Sequence, residues 1–77
     1  LFHLDSDKKP HELLSNREFE IFKLLAQGKT VGEIAEMLSL AVTTISTHRS
    51  KILDKMDLHN NADLTRYALN NKLISNL

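Results

Sequence analysis

A short helix and a longer one, separated by only three residues, constrain this chain more than any other feature. Thr30 precedes Glu33 by three positions, the spacing at which hydroxyl and carboxylate each satisfy the other residue's free backbone N–H at a helix start. Val31, Ile34, Ala35 and Leu38 follow at i, i+3, i+4 and i+7, the pattern of an amphipathic helix. Gly32 falls in the first turn, where its low helix propensity is tolerable. After the interruption Ser39-Leu40-Ala41, apolar residues resume at Val42, Ile45, Ile52, Leu53 and Met56. A turn this short makes the two helices cross steeply and pack through Ile34, Ala35, Leu38 and Ile45, the small Ala35 permitting close approach. The spacing predicts a helix-turn-helix over about 30–56, with its second helix over about 42–56.

Two more helices flank this pair. Ser15 and Glu18 repeat the capping spacing, and Phe19, Ile21, Phe22, Leu24, Leu25 and Ala26 follow, with Gly28 as a left-handed stop. Ile21, Leu24 and Leu25 share a face and are expected to turn inward. Asn60 and Asp63 open a fourth helix carrying Ala62, Leu64, Tyr67, Ala68 and Leu69, which ends near Asn70-Asn71. Leu73 and Ile74 are expected to fold back as a small apolar clasp. Leu1–Leu13 shows no apolar period and reads as a linker remnant, leaving residues 14–77 as the domain. Its adjacent Lys8 and Lys9 read as solvated. The fold class is therefore all-α, a compact four-helix domain containing a helix-turn-helix.

Composition bounds the alternatives. At 77 residues there is one domain at most, with a small core. Two glycines and one proline favour helices joined by short turns over a strand-and-turn architecture. With no cysteine, a disulfide framework and a thiolate metal site are both excluded. His3, His11 and His59 have no ligand-like spacing, so no metal or cofactor is expected. The sequence shows no membrane-spanning apolar run and no signal-peptide pattern, and an intracellular protein is the default reading. The chain opens on Leu1 rather than methionine and is read as part of something longer. No thiol nucleophile, glycine-rich phosphate loop or carboxylate pair with an obvious cleft suggests an enzyme.

The content of the third helix points to a function. Thr43, Thr44, Ser46, Thr47, His48, Arg49, Ser50 and Lys51 are hydrogen-bonding side chains interrupted only by Ile45, without one acid. A solvated face normally mixes signs, and β-branched threonines are a poor choice for helix stability alone. Short hydroxyls beside Arg and Lys suit phosphate oxygens and base edges, in a groove wide enough for one helix. The net charge opposes this reading, since ten basic and ten acidic residues cancel. Their distribution softens the objection: residues 1–40 hold five basic and seven acidic residues, whereas 41–56 hold Arg49, Lys51 and Lys55 against Asp54 alone. Phosphates respond to the field of one face. On the residues alone two readings stand, a DNA-binding domain and a helical protein-interaction module.

The sequence also resembles the LuxR-type helix-turn-helix family, in particular the NarL/FixJ group of response regulators. The likeness runs through Leu14–Glu20, Leu24–Thr30, Glu33-Ile34-Ala35, Leu38, Leu40, Thr44-Ile45, His48, Ile52-Leu53, Lys55-Met56, Asn60, Ala62, Leu64 and Tyr67-Ala68, covering about residues 11–74. It implies a cytoplasmic bacterial transcription regulator, the output domain of a two-component system, that binds double-stranded DNA as a dimer on paired half-sites. By position, Ser46, Thr47 and Ser50 face base edges, and Thr30, Thr43, Thr44, Arg49, Lys51 and Lys55 contact phosphate. Self-association is implied for the helix at about Ala62–Asn71, together with an upstream receiver domain that Leu1–Leu13 would follow. RNA polymerase is admitted as a further partner, a membrane is not. Region four of a sigma factor shares the capped helix-turn-helix, but the fourth helix with Asn60-Asn61-Ala62 speaks against it.

Three departures from the family pattern bear on affinity. Ala41 stands where a serine usually caps the third helix, at a cost of about 1 kcal/mol. Ser46 and Ser50 stand where lysines are common, and Asn61 where arginine is. Fewer cations predict weaker, more dimer-dependent binding with a shallower salt dependence. Among the remaining polar residues, Arg17 reads as half of an intramolecular ion pair before it reads as a DNA contact. His48 is either a phosphate donor or an imidazole wedged against a neighbouring helix. Tyr67 reads as core in preference to a dimer contact.

Overall fold

The computed structural model describes residues 9–75, and every described element is helical. A 3-10 helix at Pro10–Leu13 is followed by α1 (Asn16–Ala26), α2 (Val31–Leu38), α3 (Val42–Met56) and α4 (Asn61–Asn70). Three helix starts are fixed by local chemistry. Ser15 and Thr30 accept from the backbone N–H of Glu18 and Glu33, while those carboxylates accept from the N–H of Ser15 and Thr30 at 2.9 and 2.8 Å. Asn60 accepts from the Asp63 N–H at 2.9 Å. Ala41 has the extended backbone of a cap residue but no side chain to do the capping, so α3 begins with one fewer hydrogen bond than its neighbours.

The helix ends share one device. Each is followed by a left-handed residue, and the next N–H reaches back five positions: Lys29 to Leu24, Leu40 to Ala35, Leu58 to Leu53 and Leu73 to Ala68, at 2.8–3.1 Å. Gly28 adopts that conformation without a Cβ penalty, but Ser39, Asp57 and Lys72 adopt it at φ of 57–58°. The compensation is apolar, because Leu40, Leu58 and Leu73 all pack against the core from the position just beyond. Leu73 and Ile74 thus form the clasp expected of them.

The core unites all four α-helices. Ile21, Phe22, Leu25 and Ala26 of α1 meet Ile34 and Ala35 of α2, Ile45, Ile52 and Met56 of α3, and Leu64 and Ala68 of α4. On α1 the buried stripe is rotated slightly from expectation: Phe22 and Ala26 are inside, while Leu24 is half-buried at the flank. α1 packs on α3 and α4, and α2 packs on α3 and α1, so α3 is braced from behind along its length.

The expected linker needs a correction where it is described. Residues 1–8 lie outside the described residues, as do 76 and 77 of the domain read as 14–77. Pro10–Leu13, however, is a packed 3-10 helix lying against α3. Pro10 suits a first turn, and Glu12 accepts from the Lys9 N–H at 2.9 Å. Its anchor is distant in sequence: the His11 ring Nδ1 and the Tyr67 hydroxyl are 2.9 Å apart, and the His11 ring sits beside Phe19. Tyr67 is half-buried, its ring edge-on to Phe22, so it belongs to the core's margin rather than its centre.

Candidate nucleic-acid interface

α3 divides cleanly into two faces. Ile45, Ile52 and Met56 are buried, with His48, Arg49 and Leu53 half-buried beside them. Thr43, Ser46, Thr47, Ser50 and Lys51 are exposed. Positions 43, 46, 47 and 50 lie three or four residues apart and so share one face, which the 3.6-residue period turns directly away from the core. Thr44 lies at the edge of that face. It is half-buried, because it neighbours Ile45 and lies one turn before His48 on the boundary of the inward stripe.

The outward face is short, polar and free of acid from Thr43 to Lys51. The Thr47 hydroxyl donates to the Thr43 carbonyl at 3.0 Å. With its proton so engaged, Thr47 presents a lone pair and a methyl group. The side chains of Ser46 and Ser50 form no hydrogen bond among the described residues and remain open to donate or accept. The short side chains let the helix backbone approach a partner closely.

The cationic side chains are less alike than their sequence positions suggest. Lys51 is exposed. Arg49 donates through Nε to the Asn61 side-chain oxygen at 2.9 Å, which ties α3 to the first turn of α4. Lys55 reaches the Glu18 carboxylate at 2.7 Å, and Glu18 is buried while the lysine side chain stays 41% exposed. The Lys55 ammonium and the Ser15 N–H hold the Glu18 carboxyl below the usual glutamate range, against a burial effect that opposes ionisation. Thr30 is exposed but serves as the α2 cap, and its N–H holds the Glu33 carboxyl low in the same way. Arg17 pairs with Glu20 at 3.2 Å within α1, an exposed contact of little energetic weight. His48 is wedged inward enough to bury its Nδ1 without a partner.

Sequence reasoning did not find the Arg49–Asn61 and Lys55–Glu18 pairs, which join residues 12 and 37 positions apart. The outer face of α4 exposes Asn61, Ala62, Arg66 and Asn70 beside a shallow hollow of about 200 Å³ lined by Leu58, Asp63, Arg66, Tyr67 and Asn70. Among the described residues no three of His, Cys, Asp or Glu cluster to hold a metal, and no helix is long and apolar enough to cross a membrane.

A capped short helix bracing a longer one, whose free face carries hydroxyls and cations, defines a helix-turn-helix domain of the DNA-binding class. The chain belongs to the luxR family of bacterial regulatory proteins, whose pattern matches residues 12–68. That span includes the start of α4 and sets aside the sigma-factor alternative. The transcriptional regulatory protein LiaR of Bacillus subtilis is 40% identical over 75 residues, covering 97% of this chain and 36% of that protein. The oxygen regulatory protein NreC of Staphylococcus haemolyticus is 41% identical over 69 residues, 90% of this chain and 32% of that protein. The uncharacterized response regulatory protein YgeK of Escherichia coli is 42% identical over 72 residues, 87% of this chain and 49% of that protein. The chain thus spans about a third to a half of these relatives.

Proposed function

We propose that this domain is the output module of a cytoplasmic two-component response regulator and reads double-stranded DNA by laying α3 in the major groove. The observation that carries the reading is the outward face of α3, acid-free from Thr43 to Lys51, held against a core that leaves it nothing else to pack on. Ser46, Thr47 and Ser50 meet base edges. Thr47, with its proton engaged by Thr43, offers an acceptor to an exposed amino group and a methyl to thymine. Thr43, Thr44, Arg49 and Lys51 take phosphates. Thr30 approaches phosphate only through a hydroxyl already capping α2, and Lys55 only by leaving Glu18, so both serve chiefly to brace the reading head.

Two copies associate through the outer face of α4, about Ala62–Asn71, so that two α3 helices address paired half-sites. This agrees with the sparse charge: Arg49 and Lys51 alone give each protomer few phosphate contacts. A receiver domain upstream supplies the signal, as the response-regulator relative and the unmatched length of all three relatives suggest. RNA polymerase would then be met on the promoter.

Anisotropy titrations with a duplex selected from a randomised pool and with a random duplex, at two salt concentrations, test the proposal. With about two phosphate cations per protomer in a dimer, the log–log salt slope is roughly −4, a loss of about two orders of magnitude between 50 and 200 mM salt. The selected duplex should bind at least tenfold tighter. Equal, salt-insensitive binding to both duplexes, or none, would instead favour a protein-interaction module.

A further inference from the structure

We infer that Asn61 is a positioning residue for DNA binding: it orients the Arg49 guanidinium toward phosphate from the first turn of α4. The inference rests on the proposed phosphate role of Arg49 and adds a residue to which no DNA role has been given. The Nε–H of Arg49 is only a donor, so the amide oxygen of Asn61 must face it, and the two stand 2.9 Å apart. That bond uses the one N–H on the side of the guanidinium nearest the stem. The four N–H groups on the two terminal nitrogens stay free, in a fork matched to two phosphate oxygens.

Asn61 gains nothing for its own helix from this arrangement. Asn60 already caps α4 by accepting from the Asp63 N–H. Asparagine is also a weak helix former in comparison with arginine. Arg49 is half-buried, and its head is held by Asn61. A long cationic side chain loses considerable rotamer freedom when it docks on DNA. Holding the head before DNA arrives removes part of that loss. The neighbouring acid on α4, Asp63, is occupied by its own contacts with the Arg66 guanidinium and the His59 N–H, and does not compete for Arg49. One consequence is structural. Any shift of α4 relative to α3 moves the phosphate-binding fork.

A double-mutant cycle on the 77-residue chain tests this, with the selected duplex as probe. Arg49→Ala should weaken binding about tenfold and reduce the salt slope by roughly 0.9 per protomer. Asn61→Ala should weaken binding roughly three- to tenfold with the salt slope unchanged, because no phosphate cation is lost. In the Arg49→Ala background, Asn61→Ala should have almost no further effect. Thermal melts should stay close to wild type in every variant, and the Arg49 Nε–H resonance should shift in Asn61→Ala. If Arg49→Ala weakens binding but Asn61→Ala is silent, or the two losses multiply, the positioning role is wrong and the phosphate role of Arg49 stands. If Arg49→Ala itself leaves binding unchanged, both fall.

Discussion

Glu18 joins two elements through one carboxylate oxygen, which accepts from the Ser15 N–H that starts α1 and from the Lys55 ammonium near the end of α3. Buried carboxylates are tolerable only when so partnered. Because its pKa is lower folded than unfolded, the stability it contributes is complete above its ordinary value of 4.5 and is lost as pH falls through the folded pKa. Glu18→Gln, which keeps the shape and cannot ionise, is expected to destabilise the domain by about 1–2 kcal/mol at neutral pH, discounted for the partly exposed lysine. Denaturant melts of both proteins across the acid range check the sign: the gap should narrow below the ordinary glutamate pKa. A gap that is constant with pH would remove the ion pair from the account.

Among the elements, α3 is the one whose start lacks side-chain chemistry. Ala41 already has the extended backbone a cap requires, so Ala41→Ser should add a hydrogen bond without moving the chain. A gain of about 1 kcal/mol, read as a rise of roughly 4–8 °C in Tm, is expected. An unchanged Tm would show that the free N–H groups of α3 are satisfied in another way. The helix starts were legible in the sequence because Ser15–Glu18, Thr30–Glu33 and Asn60–Asp63 are local signals three residues apart. The outward face of α3 was legible too, since Ile45, Ile52 and Met56 set its phase. What escaped was non-local. The 3-10 helix at Pro10–Leu13 depends on Tyr67, and no local pattern announces a hydrogen bond across 56 positions. The same holds for Arg49 with Asn61 and Lys55 with Glu18, where residues read as alike cations received different neighbours.

At the scale of the molecule, the zero net charge and the proposed contact of α3 with DNA are compatible, because residues 41–56 carry three basic residues against one acid. The acids lie mostly on α1, α2 and the chain's start, while the outward face of α3 carries none up to Lys51. The proposed pairing through α4 would add affinity to a weak electrostatic footprint per protomer, and the Arg49–Asn61 bond ties that helix to α3. The exposed stripe of α3 is the surface proposed to meet DNA, and Ser50 lies on it without a structural role among the described residues. The most direct measurement is therefore binding of Ser50→Glu to the selected duplex, beside its far-ultraviolet circular dichroism. Wild-type helicity is expected with binding reduced at least a hundredfold, as a carboxylate is brought against bases and phosphates. Wild-type helicity with undiminished binding would contradict that proposal and take α3 out of the groove.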